Sequence, residues 1–482
     1  MRAATHPRTE GRSRRNARRE SCGVPVPSDR GGQRWGYVMK GLMAEGAPKA
    51  HICLISAEKS LPYERPALSK GYLLGKLPSP EDGGFNCVSE DAYREHEVAL
   101  RLHTRVTRVD LERKLVFTES VRFGELVSDI VGYRSLCIAT GSSAIKLTCP
   151  GHDLKNVFYV RDADDVDALR AVATAGKKAV VIGGGYIGLE VSACLAILGL
   201  DVTLVARTGH LLPKLFTPEL SKFFEDLWTA KGVKILKHTE VTSLSGDTAV
   251  SSLALSPSSS SSSSSPPPST LPCDLVVAGL GAVPNTKLFQ GKEGGELGGS
   301  GHTLELDPTT KAIVVDAHLR TRLEDVFAIG DVVSFPVEGL GGGRRVEGHV
   351  THARASGLYT ARSMLGKSGH TEPYAYLPLL YSRVDPWGLC WKFFGHNDGQ
   401  LRLIGKVKSG DFSGFWLNGD EIRGGIHCTL KGESTAKEAF EILREVVEGG
   451  VALDETARSL FDECTSIQQV AEVLLNRKMH EA

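Results

Sequence analysis

Gly183-Gly184-Gly185-Tyr186-Ile187-Gly188 carries the clearest chemical signal in the chain. Its spacing is G-x-G-x-x-G, the turn that cradles the pyrophosphate of a dinucleotide. Each glycine has its own task. Gly183 permits the tight turn, Gly185 lets the backbone approach the phosphates, and Gly188 allows a helix to pack closely on a strand. The N-terminus of the following helix favours the anion. The bare hexapeptide would also fit a Gly-rich turn with no ligand. Its flanks favour the nucleotide. Ala179–Ile182 is a short apolar strand, Leu189–Leu198 has helical spacing, and Val202–Val205 is a second strand.

The tip of that second strand selects between cofactors. An NAD site usually places Asp or Glu there for the ribose 2′-hydroxyl, and an NADP site offers Arg. Here Val205 is followed by Ala206, Arg207, Thr208, Gly209 and His210, with no carboxylate. Arg207 suits a 2′-phosphate, because a guanidinium matches phosphate geometry. A solvated surface Arg is the plainer alternative. NADPH is expected to be at least accepted.

Three more strand ends belong with this turn. Ser135–Gly141 closes on Ala139-Thr140-Gly141, and Leu275–Gly281 ends in a similar glycine turn before Pro284-Asn285. Val326–Asp331 ends in Gly330-Asp331, where a carboxylate can accept from sugar-type hydroxyls or act as an ordinary helix cap. Two Gly-rich sites in separate α/β units, with a Gly-Asp strand later, imply two dinucleotides facing each other. Those are flavin and nicotinamide, since a hydride needs both a donor and an acceptor.

Such turns require alternating strands and helices, and 482 residues allow for several domains at roughly 100–200 residues each. Lys+Arg and Asp+Glu balance at 57 each, which argues against a dedicated nucleic-acid binder. The longest apolar runs, such as Leu275–Leu280, fall far short of the about 20 residues of a membrane helix. Ten cysteines without CxxC spacing argue against a disulfide framework, a zinc ribbon or a dithiol centre, and no metal site is expected. The neutral total hides a local bias. Residues 1–35 hold nine Arg, no Lys and three acids, the composition of a disordered tail or an organellar transit segment. Ser256–Thr270, with an unbroken serine run from Ser258 to Ser265 followed by Pro266–Pro268, reads as a flexible loop expansion.

Pro62-Tyr-Glu-Arg-Pro-Ala-Leu-Ser-Lys70 resembles the FAD/NAD-linked reductases with two dinucleotide folds. Arg344-Arg-Val-Glu347, His352-Ala-Arg354, Tyr376-Leu-Pro378 and Tyr381-Ser-Arg383 narrow the resemblance to the monodehydroascorbate reductases of plants and algae. It spans about Gly36 to Leu443. The resemblance implies an α/β fold like that of glutathione reductase: two Rossmann-like domains, for FAD and NAD(P), and a C-terminal α+β domain. The expected division is a disordered or transit-like stretch to 35, a flavin domain split between 36–160 and 301–366, an NAD(P) domain over 161–300, and a final domain over 372–482.

The resemblance also implies residue roles. Glu58 would hold the adenosine ribose of FAD. Arg65, Lys70, Val106, Arg161 and Asp162 would be further flavin contacts, and Asp331 the ribityl contact. Gly183, Gly185, Tyr186, Ile187, Gly188, Glu190 and Gly281 would meet NADH or NADPH. Arg354 and Tyr381 would bind the substrate radical beside the flavin, with Lys70 near the ring. An anionic radical calls for an Arg, and a Tyr can stack on a planar ring. Without the resemblance, a helix-surface Arg and a core Tyr would be the ordinary reading. The implied partner is this small molecule, with no nucleic acid and no membrane, and a monomer or weak homodimer in the cytoplasm. A chloroplast or mitochondrion is the alternative if residues 1–35 are a transit segment. A reductase of ferredoxin or rubredoxin type is the runner-up function, and a flavin-deficient relative the third.

The sequence departs from the family pattern in four places. The second-strand acid aligns with Thr208, which strengthens the expectation from Arg207. A family Arg aligns with Lys214. Gly348 separates Glu347 from His349, so either side chain is a candidate to meet the flavin. Arg30 stands at the first glycine of the flavin turn, ahead of Gly31, Gly32 and Gly36, and the preceding Val-Pro-Val-Pro is expected not to donate a full strand ladder. The expectation is therefore an alternative start to the chain, or else a damaged flavin grip.

Overall fold

The computed structural model describes residues 24–26, 32–258, 269–290, 303–337, 343–366, 372–450 and 452–481; of 24–26, 32 and 476–481 it describes the backbone alone. The elements that position the site are, in chain order, β1 (Val24–Val26), α1 (Gly32–Ala44), β2 (Leu136–Ile138), β3 (Lys178–Ile182), α2 (Tyr186–Ile197), β4 (Asp201–Val205), β5 (Leu275–Ala278), β6 (Val326–Ala328) and α3 (Val350–Met364).

The first nucleotide fold is a parallel sheet in the order β1-β2-β6. Leu136-Cys137-Ile138 is buried throughout, as expected of a strand covered on both faces. Helix α1 buries Trp35, Val38, Met39 and Leu42 in the same core. The second fold is a five-stranded sheet in the order Lys234–Leu236, β4, β3, β5, Val157–Phe158, with every pair parallel. Helix α2 crosses between β3 and β4. It is apolar around most of its circumference, and Gly188 to Leu195 are buried, as for a helix enclosed between layers.

The third unit is antiparallel, in the order Leu379–Val384, Leu389–Gly395, Glu421–Thr429, Asp411–Asn418, Gln400–Lys406. Asp411–Asn418 and Glu421–Thr429 are the last pair of this hairpin series in chain order. Lys437–Glu448 packs Phe440, Leu443 and Val446 inward. The chain then forms two further helices, Glu455–Glu463 and Ile467–Glu481. Ser466 opens the second by accepting from Gln469 N at 3.3 Å.

Three expectations need correction. The stretch 1–35, read as unstructured, contains β1 and the start of α1. Val24-Pro25-Val26 pairs in register with Leu136-Cys137-Ile138 despite its proline. It is the edge of its three-stranded sheet rather than a central strand, and an edge strand tolerates a missing N–H. Arg30 and Gly31 lie outside the described residues. The boundary at 160 also shifts, because Val157–Phe158 hydrogen-bonds into the second sheet. Lastly, the ends of the Ser/Pro stretch are strands: Ser252–Pro257 pairs antiparallel with Ser269–Pro272. Residues 259–268 lie outside the described residues. Among the described residues no helix is long and apolar enough to cross a membrane.

Candidate functional site

The turn at 183–188 has the geometry its glycines suggest. Gly183 adopts φ +116°, and a Cβ there would strike the Gly279 carbonyl. A Cβ on Gly188 would strike the Gly183 carbonyl, so α2 could not sit so close to β3. Around Gly185, by contrast, a Cβ would meet nothing, which leaves its face open to a ligand. Gly281, at φ +105°, closes the tip of β5 nearby. At the tip of β4, Arg207 is exposed, and its carbonyl accepts from Ser258 Oγ at 2.9 Å. The His238 imidazole lies against Gly209 in the same turn. Lys214 is exposed and ties through its carbonyl to Asn397 Nδ2 at 2.9 Å.

On the flavin side, the tips of β2 and β6 face the start of α1. Asp331 is buried and carries two guanidiniums, Arg34 through Nε at 3.1 Å and Arg161 through Nη2 at 3.4 Å, with Ser142 Oγ at 2.7 Å. Burial alone would raise its pKa, but Arg34 and Arg161 hold the carboxyl below its usual range. Arg65 pairs with Glu58 and donates to the Arg161 carbonyl. Burial pulls the Arg65 guanidinium down, and Glu58, Tyr63 and Asp162 together more than offset this. Val106 is buried beside a bulge in the strand Thr104–Asp110. Asp162 caps the helix Ala163–Val172 by accepting from Asp165 N at 2.9 Å, so its side chain is occupied by a structural task.

The buried donors test whether a flavin dinucleotide fits. Arg34 Nη1, Arg65 Nε and Arg161 Nε have no acceptor among the described residues. Buried donors left this way call for oxygens from a ligand. The phosphates and hydroxyls of FAD would supply them, so the residue set fits.

Between the two folds lies a buried polar chain. Lys70 Nζ is 2.6 Å from Glu190 Oε2, and Glu190 also accepts from Ser69 and, at 2.5 Å, from Ser382 Oγ. Tyr186 stacks on Trp391 with centroids 5.7 Å apart, which brings the third unit against the nicotinamide turn. Ile187 is partly exposed. The residues around the inserted Gly348 diverge. Glu347 turns to Arg345 at 2.8 Å, while His349 caps α3 and packs edge-on to Tyr381 at 5.3 Å. Burial, with Lys70 adding, lowers His349 to about 4, so it is neutral at physiological pH. Gly348 itself lies beside Asp331.

Arg354, on α3, does not stand alone as the residue pattern suggested. Its Nη2 donates to Glu64 Oε2 at 2.8 Å, and Gln33 Nε2 reaches the same oxygen at 2.7 Å. Tyr37 donates to the other Glu64 oxygen, with its ring 5.6 Å from the guanidinium. Electrostatics from Tyr381 also reach Arg354. Arg34, Gln33, Tyr37, Glu64, Ser142 and Ser382 were not singled out by their pattern. Glu64 lies inside the Pro62–Lys70 stretch, so its position was visible there but its partner was not.

The model of the pyridine nucleotide-disulphide oxidoreductase family matches residues 37–357. Among curated relatives, the chain is 35% identical over 431 residues to monodehydroascorbate reductase 4, peroxisomal, of Arabidopsis thaliana, covering 87% of this chain and 81% of that protein. It is 33% identical to the monodehydroascorbate reductase of Pisum sativum, covering 88% and 96%. Among solved structures, the reductase of a covalent putidaredoxin reductase–putidaredoxin complex superposes with a TM-score of 0.74 at 25% identity, covering 92% of this chain and 97% of that one.

Proposed function

The chain belongs to the pyridine nucleotide-disulphide oxidoreductases and, within them, to the monodehydroascorbate reductases, and we propose that it reduces the monodehydroascorbate radical to ascorbate with NAD(P)H. It is an FAD-dependent NAD(P)H oxidoreductase. Bound FAD supplies a carrier that accepts two electrons as hydride and returns them singly. One NAD(P)H and one solvent proton thereby convert two radical anions into two ascorbate anions. The observation that carries this reading is the convergence of the open Gly183–Gly188 turn, the Lys70–Glu190 pair and the Arg354–Tyr381 region at the meeting of three units.

The residues divide the work. Gly185 and the N-terminus of α2 receive the nicotinamide pyrophosphate. Lys70, held by Glu190, keeps a fixed positive charge where negative charge accumulates. Arg354, held in place by Glu64, attracts the radical anion, and Tyr381 offers it a ring face. The neutral His349 braces Tyr381 without competing for the anion. In this reading the flavin domain begins at Val24, the NAD(P) domain gains Val157–Phe158, and the remaining boundaries stand as the resemblance implies. The same reading has the protein work as a monomer or weak homodimer in the cytoplasm, or in a chloroplast or mitochondrion if residues 1–35 are a transit segment.

The test is NAD(P)H oxidation driven by radical generated from ascorbate and ascorbate oxidase. Radical-dependent oxidation is expected. Its absence, with fast reduction of a small iron–sulfur protein instead, would reassign the chain to the ferredoxin-type reductases. Arg354→Ala should lower kcat/KM for the radical about 10–100-fold, the size of one charge-assisted contact, with flavin absorbance unchanged. An unaffected KM would remove Arg354 from the substrate site. Arg207→Glu should shift the NADPH-to-NADH ratio of kcat/KM about 10–100-fold toward NADH; an unchanged ratio refutes the role given to Arg207.

A further inference from the structure

The two dinucleotide-fold helices of this chain begin differently. Helix α2 starts behind Gly185 with no charged side chain in its first turn. Helix α1 starts at Gly32, and its first turn carries Arg34, which is only 4% exposed. The stem of Arg34 runs across Gly330 and its guanidinium lies against Gly141, both glycines at φ +68°, and a Cβ on either would overlap the side chain. Arg34 therefore lies in the channel between the tips of β2 and β6.

The channel is electrically unbalanced. Among the described residues the Arg34 and Arg161 guanidiniums share one carboxylate, that of Asp331, while Arg65 is matched by Glu58. Arg34 Nη1 and Arg161 Nε are buried with no acceptor among the described residues. Burial and the neighbouring Arg65 also pull Arg161 down to about 10, a sign of crowded positive charge. A buried cation in surplus is costly, and an entering anion with several oxygens relieves it.

We propose that Arg34 holds the pyrophosphate of the flavin nucleotide, doing with a charged side chain what the Gly183 turn does with bare backbone. This rests on the reading of the first fold as the flavin fold. Because the stem fills the channel, nucleotide entry requires Arg34 to turn from Asp331 toward the incoming oxygens. Arg161 and Ser142 keep that carboxylate paired meanwhile. Arginine and phosphate form strong forked pairs, so the exchange favours binding.

The test uses the full chain stripped of flavin and titrated with FAD, followed by flavin fluorescence. Arg34→Gln should weaken FAD about 10–100-fold, the size of one charge-assisted contact. Arg34→Lys should recover part of that loss, and NADPH binding at the α2 turn should be unchanged in both. Equal or tighter FAD binding by Arg34→Gln would make Arg34 an obstruction and overturn the proposal. Should the variants fold poorly, the unaltered protein gives a second measurement. Inorganic pyrophosphate should displace FAD from it, and sulfate at matched ionic strength should not; equal displacement by both overturns the proposal. Wild type that takes up no flavin at all refutes the flavin fold itself, an outcome distinct from a mere equality of variants.

Discussion

Asp331→Ala should cost about 3–5 kcal/mol of stability, the size expected when one partner is removed from a buried ion pair. The carboxylate is buried between Arg34 and Arg161 and accepts from Ser142. It stays ionised in spite of burial because those guanidiniums hold its pKa down. Without it, two guanidiniums confront each other in a medium of low dielectric with no counter-charge. The damage should centre on the first fold, because Asp331 follows directly from β6 and Arg34 sits in the first turn of α1. Denaturant unfolding of flavin-free protein measures the loss. Asp331→Asn, which keeps an acceptor but no charge, should fall between wild type and alanine. An unchanged midpoint for Asp331→Ala would mean that the cluster does not need its carboxylate.

Acid should weaken the protein well above the usual carboxylate range. Burial lowers His352 to about 3, and His427 and His349 each to about 4. His352 is stacked on Phe335 at 4.5 Å with its Nδ1 2.9 Å from Tyr374 Oη, and His427 Nδ1 lies 2.9 Å from Ser413 Oγ. The folded state keeps these rings neutral, whereas the unfolded chain protonates them below about 6.5. The unfolded state then binds more protons, so stability is fully present above pH 6.5 and is lost as pH falls toward 4. Each ring contributes about 1.4 kcal/mol per pH unit in that window, and three together about 4 kcal/mol per unit at most. Thermal midpoints between pH 8 and 4.5 measure this. His427→Gln, far from the nucleotide turns, should remove about a third of the slope. A flat profile, or a slope that His427→Gln leaves untouched, would refute the account.

Much of this molecule was legible in one dimension. The 183–188 turn, the flanking strands and the Gly330-Asp331 tip are local patterns, because glycine spacing and runs of apolar residues act within a few residues of themselves. The first strand was misread because proline is a local penalty, while its tolerance depends on whether the strand lies at an edge, a fact of sheet order.

The site's electrostatics were beyond such reading. Arg34 and Asp331 are 297 residues apart, and Arg354 and Glu64 are 290 apart. No spacing rule connects residues at that distance. Residue types and local periods specified the nucleotide turns, because backbone conformation there depends on immediate neighbours. Only the packed structure assigned partners to the charges, because burial removes water and leaves each guanidinium dependent on whichever carboxylate the fold brings within a few ångströms.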